Sequence, residues 1–188
     1  RDYYASRGLG DVYKRQGTYR VVGGLLEDND PNIYVYTIED GQLIRGESIG
    51  ITTSMTSFYD SDMNGGKGAW AVGSIINPND QSGKQFLKDF TQNPPNIGFY
   101  MDNAKTNQFY DFKVTNGTSQ ILYKKHEDLY RGMPVKTKKD GTNVYSSARD
   151  IGNIAAGYIA GRNSIPWSIA RKKYDKLQSQ QELSLIHI

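Results

Sequence analysis

The chain has 188 residues, with 23 Lys and Arg, 20 Asp and Glu, two His and no Cys, and a formal net charge of +3. This length is sufficient for one domain with a buried core, and the lack of cysteine excludes disulfides, thiolate metal sites and a cysteine nucleophile. The net charge is too small to argue for nucleic-acid binding, and no apolar run is long enough to span a bilayer.

The two ends of the chain are expected to be foreign to the native protein. Residues 11–16 (DVYKRQ) can be encoded by DNA whose reverse complement encodes residues 183–188 (LSLIHI). Two unrelated termini rarely satisfy this relation, whereas a sequencing adapter translated on both sides of an insert does. We therefore interpret residues 1–16 and 183–188 as adapter. The remaining 166 residues carry 19 basic and 18 acidic side chains, a net charge of +1, and His126 is their only histidine.

Residues 17–182 are predicted to form a single α+β domain, and its first part, residues 17–78, is rich in β-structure. β-Branched and aromatic residues cluster at Thr18–Val22 and at Ile33–Ile38, as is typical of strands. The tripeptide EDG that follows is a hairpin signal, and QLIRGESIGITT returns as the next strand. With SFYD and AWAVGSII further along, these segments predict four or five antiparallel strands.

The middle part, residues 79–145, is predicted to mix helices and strands. Ser82 with Gln85 three residues later resembles a capping box, and the helix should end near Asn93 because two prolines follow. Residues 97–104 are ambiguous and fit one or two helical turns. YDFKVTNG predicts a strand that ends in a turn, SQILYKK predicts the returning strand, and KTKKDG predicts a basic loop.

The last part, residues 146–182, is predicted to be a helical hairpin. A helix capped by Ser146 or Ser147 should run to about Ala160 and stop at Gly161. Pro166 suits the first position of a second helix, and the short loop GRNSI predicts antiparallel packing of the two. The predicted architecture is therefore an N-terminal antiparallel β-sheet with one helix, followed by a C-terminal helical hairpin.

The segment SARDIGN holds the strongest candidates for a functional site. Arg149, Asp150 and Asn153 fall together at the start of the predicted helix, where a base beside an acid can bind an anion or polarise a substrate. The alternative is structural. Asp150 would then only favour the helix N-terminus electrostatically, and Asn153 would hold a neighbouring loop.

Three further segments contain ionisable residues that could belong to a functional site. Asp111 and Lys113 share one face of the presumed YDFK strand, so they would pair with each other or face a cleft. Arg131 in YRGMP is a candidate anion-binding residue, or else the partner of a carboxylate. His126 stands alone among charged residues, which is typical of a solvated surface side chain.

The order of these motifs resembles a known family. YDFK, then YRGMP, then the helix SARDIGNIAAGY is similar to the bacterial polymorphic toxin type 44-like domains, which end Rhs-repeat and related polymorphic toxin proteins. The stretch from RVVGG to AWAVGSIINPND is similar to the region that precedes such domains in gut Bacteroidales proteins. The matching motifs cover roughly residues 99–180, and the family pattern expects further helix beyond Glu182.

The resemblance implies an effector domain that is secreted or delivered from the cell surface and is neutralised by a cognate immunity protein. Nucleic acid is a further partner by analogy only, since many such toxins are nucleases. Arg149, Asp150 and Asn153 would then form the polar centre, with Asp111 and Lys113 nearby. Lys113 or Arg149 would stabilise negative charge with Asp150 as base, or Asp111 and Asp150 would hold a divalent cation.

Two other functions stay open at this point. In the first alternative, the chain is a non-catalytic binding or structural module of a large surface protein. In the second, it is a peptidoglycan- or glycan-directed hydrolase with two carboxylates across a groove. No pair of carboxylates is singled out by its spacing, so the hydrolase ranks last. The sequence predicts no particular metal or cofactor.

Overall fold

The computed structural model describes residues 11–15, 17–27, 29–166, 168–170 and 172. The strands are Asp11–Arg15 (β1), Thr18–Gly23 (β2), Asn32–Glu39 (β3), Gln42–Thr52 (β4), Tyr59–Asp60 (β5), Ala69–Trp70 (β6), Ile75–Ile76 (β7), Gly132–Thr137 (β8) and Asn143–Ser147 (β9). The helices are Met63–Gly66 (α1), Ser82–Gln92 (α2), Ile97–Asn103 (α3), Phe112–Thr115 (α4), His126–Leu129 (α5) and Ala148–Arg162 (α6). Among the described residues, no helix is both long and apolar enough to cross a membrane.

Most of the strands belong to one curled, mixed sheet. Six strands lie in the order β2-β7-β8-β9-β4-β3, and β1 joins β2 to β3 so that the sheet closes as a barrel. The hairpins β3–β4 and β8–β9 are antiparallel, whereas β7 pairs with β8 and β4 pairs with β9 in parallel. β5 and β6 form a separate two-stranded sheet.

The predicted arrangement of the fold is wrong. The sheet is not confined to the N-terminal part, because the β8–β9 hairpin inserts between β7 and β4 and makes the sheet mixed. Several helices, rather than one, lie between the early strands and α6. The strand patterns in the sequence indicate extended backbone but not its partners. Ile51 of β4 pairs with Val144, 93 residues further along the chain, and Ile76 of β7 pairs with Gly132, 56 residues further along.

Several local predictions are confirmed. Glu39 pairs with Gln42 across a two-residue turn, and both turn residues have positive φ, 50° at Asp40 and 78° at Gly41. The helix α2 ends at Gln92, directly before Asn93. The helix α6 begins at Ala148, and the Ser147 side chain accepts a hydrogen bond from the backbone N–H of Asp150.

Other local predictions are wrong. YDFKVTNG is not a strand, because Phe112–Thr115 forms the helical turn α4, which ends at Asn116 with a φ of 57°. Burial of Phe112 against Phe86, with ring centroids 4.7 Å apart, outweighs the strand preference of this stretch. SQILYKK contains no strand. The capping box is absent, since the cap position of α2 is Gln81, which makes no side-chain cap bond.

The predicted helical hairpin is only partly described. Its first helix is α6, and residues 168–170 and 172 are also helical. Trp167 and the rest of the expected second helix lie outside the described residues. The segments expected to be adapter are also mostly outside them, except that residues 11–15 form β1. The source of the DNA that encodes these segments stays a prediction.

Two buried clusters hold the fold together. One lies between α2, α3, α4, β8 and α6 and is built on Phe86, Phe90, Tyr100, Phe112, Met133, Ala148, Ile151, Ala155 and Ile159. The other fills the barrel between β2, β3, β7 and β9 with Val21, Ile33, Phe58, Ile76 and Tyr145. β8 contributes Met133 to the first cluster and β9 contributes Tyr145 to the second, so the β8–β9 hairpin contacts both.

Gly50 provides a direct test of the junction between β4 and β9. Its φ is 146°, and a Cβ atom there would collide with the backbone oxygen of Asn143 and lie 2.9 Å from the Tyr145 ring. We expect Gly50→Ala to lower the free energy of unfolding by about 2 kcal/mol or more. The matched control is Gly152→Ala in α6, where an added Cβ meets no atom within 4 Å. The control should be neutral or slightly stabilising, and equal losses in a urea titration of both variants would contradict the packing described.

Candidate functional site

Four side chains from separate parts of the chain meet around one carboxylate, and we call them the Asp60 cluster: Asp60, His126, Tyr130 and Arg149. The Nε2 atom of His126 lies 2.8 Å from Oδ2 of Asp60, and Nη1 of Arg149 lies 3.4 Å from Oδ1. Nη1 of Arg149 also donates to the Tyr130 hydroxyl. The exposed Asp62 adds a weaker ion pair, 3.7 Å from Nη2 of Arg149.

Short elements of secondary structure position this cluster. Asp60 ends β5, which pairs with β6 and is braced by an edge-to-face contact between Tyr59 and Trp70. His126 begins α5 and Tyr130 follows its last residue, so that the two rings pack with centroids 5.2 Å apart. Arg149 lies in the first turn of α6. The cluster therefore depends on three separate elements meeting at one place.

The electrostatics of the cluster keep Asp60 ionised. Burial raises the pKa of Asp60, but hydrogen bonds from His126, the Asp62 backbone and Tyr130, with the charge of Arg149, outweigh burial and lower the pKa below its usual 3.8. Burial, the largest influence, also raises the pKa of Tyr130, which stays protonated. For Arg149, burial lowers the pKa, but Tyr130, Asp60 and Asp62 together raise it, so the guanidinium stays charged.

An ionised Asp60 fixes the tautomer of His126. A carboxylate only accepts hydrogen bonds, so Nε2 of His126 must carry the proton that it shares with Oδ2. In the neutral ring, Nδ1 is then the nitrogen with a free lone pair. The His126 side chain is 44% exposed, and a ring held by a carboxylate while partly open to solvent is a suitable proton acceptor.

Asp150 and Asn153 lie beside the cluster on α6. Nδ2 of Asn153 is 3.4 Å from Oδ1 of Asp150, whereas Oδ2 of Asp150 is buried without a hydrogen-bond partner among the described residues. Burial raises the pKa of Asp150, although the Ser57 hydroxyl, Asn153 and the charge of Arg149 oppose this. The Ser57 hydroxyl is therefore near enough to lower the pKa of the Asp150 carboxyl, but it makes no well-directed hydrogen bond to Oδ2.

Asp111 and Lys113 pair with each other. Nζ of Lys113 lies 3.7 Å from Oδ1 of Asp111, and the backbone N–H of Asn107 donates to Oδ2. Burial raises the pKa of Asp111, with Lys113 and Asn107 opposing. Within the described residues, no hydrogen bond or ion pair joins this pair to Arg149, Asp150 or Asn153. The single site shared by all five residues stays a prediction.

Arg131 occupies a structural position. It is 7% exposed, and its guanidinium donates to the backbone oxygens of Phe112, Lys113 and Asp128 and to Oδ1 of Asn116. It also lies 3.6 Å from the centroid of the Tyr123 ring. Burial lowers the pKa of Arg131 to about 10, with Tyr123, Asp80 and Asp128 opposing. The two Nη atoms thus bond within the chain to α4, Asn116 and α5, whereas Nε is buried with no partner among the described residues.

Sequence reasoning singled out Arg149 but not the residues that surround it. His126 is exposed, as expected for a surface side chain, but its ring is also bonded to Asp60, which was not predicted. The two residues are 66 positions apart, and nothing in the local sequence of either one indicates the other. A signal was present only in the rarity of the residue, since His126 is the one histidine outside the expected adapter.

The described residues contain no group of three or more His, Asp or Glu side chains that could hold a metal ion. The chain matches no protein-family model, no curated protein and no solved structure in the comparisons with known proteins. The resemblance to polymorphic toxin domains therefore stays a prediction.

Removing the Arg131 guanidinium should destabilise the whole domain. Arg131→Met would remove one hydrogen-bond donor from each of three backbone oxygens and from Oδ1 of Asn116. We expect the free energy of unfolding to fall by about 2–4 kcal/mol. The exposed Arg162→Met is the control and should cost less than about 1 kcal/mol. A comparable loss for both variants in chemical denaturation would contradict the assigned role.

The lowered pKa of Asp60 predicts a pH-dependent contribution to stability. Because the folded pKa lies below the unfolded value of about 3.8, the ionised form stabilises the fold above pH 3.8 and this advantage disappears as the pH falls through the folded pKa. The stability difference between the wild type and Asp60→Asn should therefore shrink in acid. Unfolding curves measured between pH 2 and pH 7 would check this. A difference that is unchanged at pH 2 would show that the charge of Asp60 is not the cause.

Proposed function

We propose that the chain is the effector (toxin) domain of a secreted or surface-delivered bacterial protein, and that it cleaves phosphodiester bonds in nucleic acid. The assignment as an effector domain is supported by the resemblance of YDFK, YRGMP and SARDIGN to motifs of polymorphic toxin domains. The observation that carries the reaction is the hydrogen bond between His126 and Asp60, with Arg149 held on the same carboxylate. A cognate immunity protein is the expected partner.

The cluster supplies the groups that RNA cleavage requires. Asp60 holds the Nε2–H tautomer, so Nδ1 of His126 can take the proton from a ribose 2′-hydroxyl as its oxygen attacks the adjacent phosphorus. The bond from phosphorus to the 5′ oxygen then breaks, and the proton returns to that leaving oxygen. RNA is favoured over DNA because its own 2′-hydroxyl is the nucleophile, so that one base and one anion-stabilising group are enough.

Arg149 is placed to stabilise the charge that develops on the phosphate. Its side chain is 23% exposed, and its Nη2 atom forms a 3.7 Å ion pair with the exposed Asp62, which a phosphate oxygen can replace. The neighbouring Lys124 and Lys125 are exposed and directly precede His126. They provide positive charge for the flanking phosphates.

The other predicted site residues have supporting roles in this proposal. Asp150 follows Arg149 on α6, and its buried carboxylate with a raised pKa is the alternative proton acceptor. Asn153 holds one oxygen of that carboxylate. Asp111 and Lys113 take no part in the reaction as proposed, since they pair with each other.

A second function is favoured by one observation. A cleft of about 390 Å³ beside α2 is lined by none of the four residues of the Asp60 cluster, which suits a non-catalytic binding module. A hydrolase acting on glycans is not supported there, because the cleft contains a single carboxylate, Asp89, and hydrolysis of this kind uses two.

The proposal is tested by incubating the purified chain with end-labelled single-stranded RNA, double-stranded RNA and single-stranded DNA. We expect RNA cleavage that falls by about 100-fold or more in His126→Ala, because general base catalysis contributes that much. Arg149→Ala should cost about 100-fold through lost charge stabilisation. Asp60→Asn should also lower the rate, since it removes the acceptor that fixes the tautomer of His126 and the charge that holds Arg149.

The control is Asp102→Asn, which changes an exposed residue that pairs with Lys105 and should cleave RNA like the wild type. Cleavage that is unchanged in His126→Ala would refute the assigned base. A folded chain that cleaves none of the three substrates would refute the nuclease proposal and favour the binding module.

A further inference from the structure

The cleft beside α2 has the chemistry of a binding site in its own right. It opens between α2 and the segment from Phe109 to Gly117, and its volume of about 390 Å³ suits a ligand of one or two rings. This inference is independent of the proposed nuclease function, because no residue of the Asp60 cluster lines the cleft.

One wall of the cleft is aromatic and rigid. Phe109 is 41% exposed at the rim, and its ring meets Tyr110 edge-to-face with centroids 5.0 Å apart. Tyr110 is braced from behind by Phe90 at 5.5 Å and by Phe86 at 6.5 Å. A partly exposed ring that is held in place offers a flat apolar face to a ligand at little cost in side-chain entropy.

The opposite wall consists mainly of hydrogen-bond acceptors. Nε2 of Gln85 donates to Oδ1 of Asp89 at 2.7 Å. Oε1 of Gln85 and the remaining lone pairs of the Asp89 carboxylate can then accept hydrogen bonds from other donors. Both residues are exposed on α2. Asn116 supplies the complementary group, because its Oδ1 already accepts from Ser82 and Arg131, which leaves its Nδ2 to donate.

The charges of the lining residues restrict the class of ligand. Among the described residues that line the cleft, Asp89 is the only charged one, and none is Lys, Arg or His. A phosphate or carboxylate ligand would find no cation to pair with and would be repelled by Asp89. The cleft therefore suits an uncharged ligand with several O–H donors on its edge and one apolar face.

We propose that this cleft binds a neutral sugar ring, either alone or as one unit of a glycan. The C–H face of a pyranose would lie on Phe109 and Tyr110, its hydroxyls would donate to Asp89 and Gln85, and Asn116 would donate to a ring or hydroxyl oxygen. The cleft binds the sugar without cleaving it, since hydrolysis requires a second carboxylate.

Saturation-transfer NMR on the full chain tests this, with the methyl glycosides of glucose, galactose, mannose and N-acetylglucosamine as probes and guanosine as a comparison. We expect at least one sugar to bind with a Kd of about 1 mM, as is usual for a ligand of this size. Phe109→Ala and Asp89→Ala should each weaken that binding by about tenfold or more, through loss of the stacking face and of the charged acceptor.

Two exposed residues outside the cleft provide matched controls. Ile121→Ala and Asp102→Ala remove an exposed apolar and an exposed acidic side chain, and both should bind the sugar like the wild type. Circular dichroism of all four variants shows whether each is folded. The proposal is overturned if no sugar binds at up to about 50 mM, well above the expected Kd. It is equally overturned if guanosine binds in preference to every sugar, or if folded Phe109→Ala and Asp89→Ala retain wild-type affinity.

Discussion

The buried guanidinium of Arg131 is the interaction on which the rest of the structure depends. It donates to the backbone oxygens of Phe112 and Lys113 in α4, to that of Asp128 in α5 and to the side chain of Asn116, and so joins α4 and α5 to the start of β8. A charge is costly to bury, and here carbonyl oxygens and the Tyr123 ring offset that cost in place of a carboxylate. The next residue is Gly132, and because it has no side chain, Phe58 and Ile76 can pack against the start of β8.

Both candidate sites follow from this junction. Tyr130 and Arg131 are consecutive residues whose side chains reach different partners: the Tyr130 hydroxyl bonds Arg149 in the Asp60 cluster, whereas Arg131 bonds Asn116 in the wall of the cleft. The segment that ends α5 therefore fixes the charged cluster and orients an amide of the neutral cleft at the same time. The charged cluster and the acceptor-rich cleft thereby occupy separate places, as the two proposals require.

The sequence indicated the parts of the fold that depend on neighbouring residues. The turn at Asp40 and Gly41, the end of α2 at the prolines and the Ser147 cap of α6 are set within a few positions, and all three are confirmed. The order of strands was not predictable in this way, because the parallel pairs β7–β8 and β4–β9 join distant segments. Arg149 was predicted as a site residue from its local motif, but its partners Asp60 and His126 come together only through the tertiary fold.

The central claim is that Asp60 holds His126 in one tautomer within a folded cluster. Long-range ¹⁵N–¹H NMR of the histidine side chains tests it most directly, with His126→Gln used to assign the His126 signals. At neutral pH we predict a ring N–H on Nε2 that exchanges slowly with water, and we predict that Asp60→Asn abolishes the slow exchange while Asp102→Asn leaves it unchanged. A His126 ring that shows no protected N–H in the wild type, or the same spectrum in Asp60→Asn, would contradict the account.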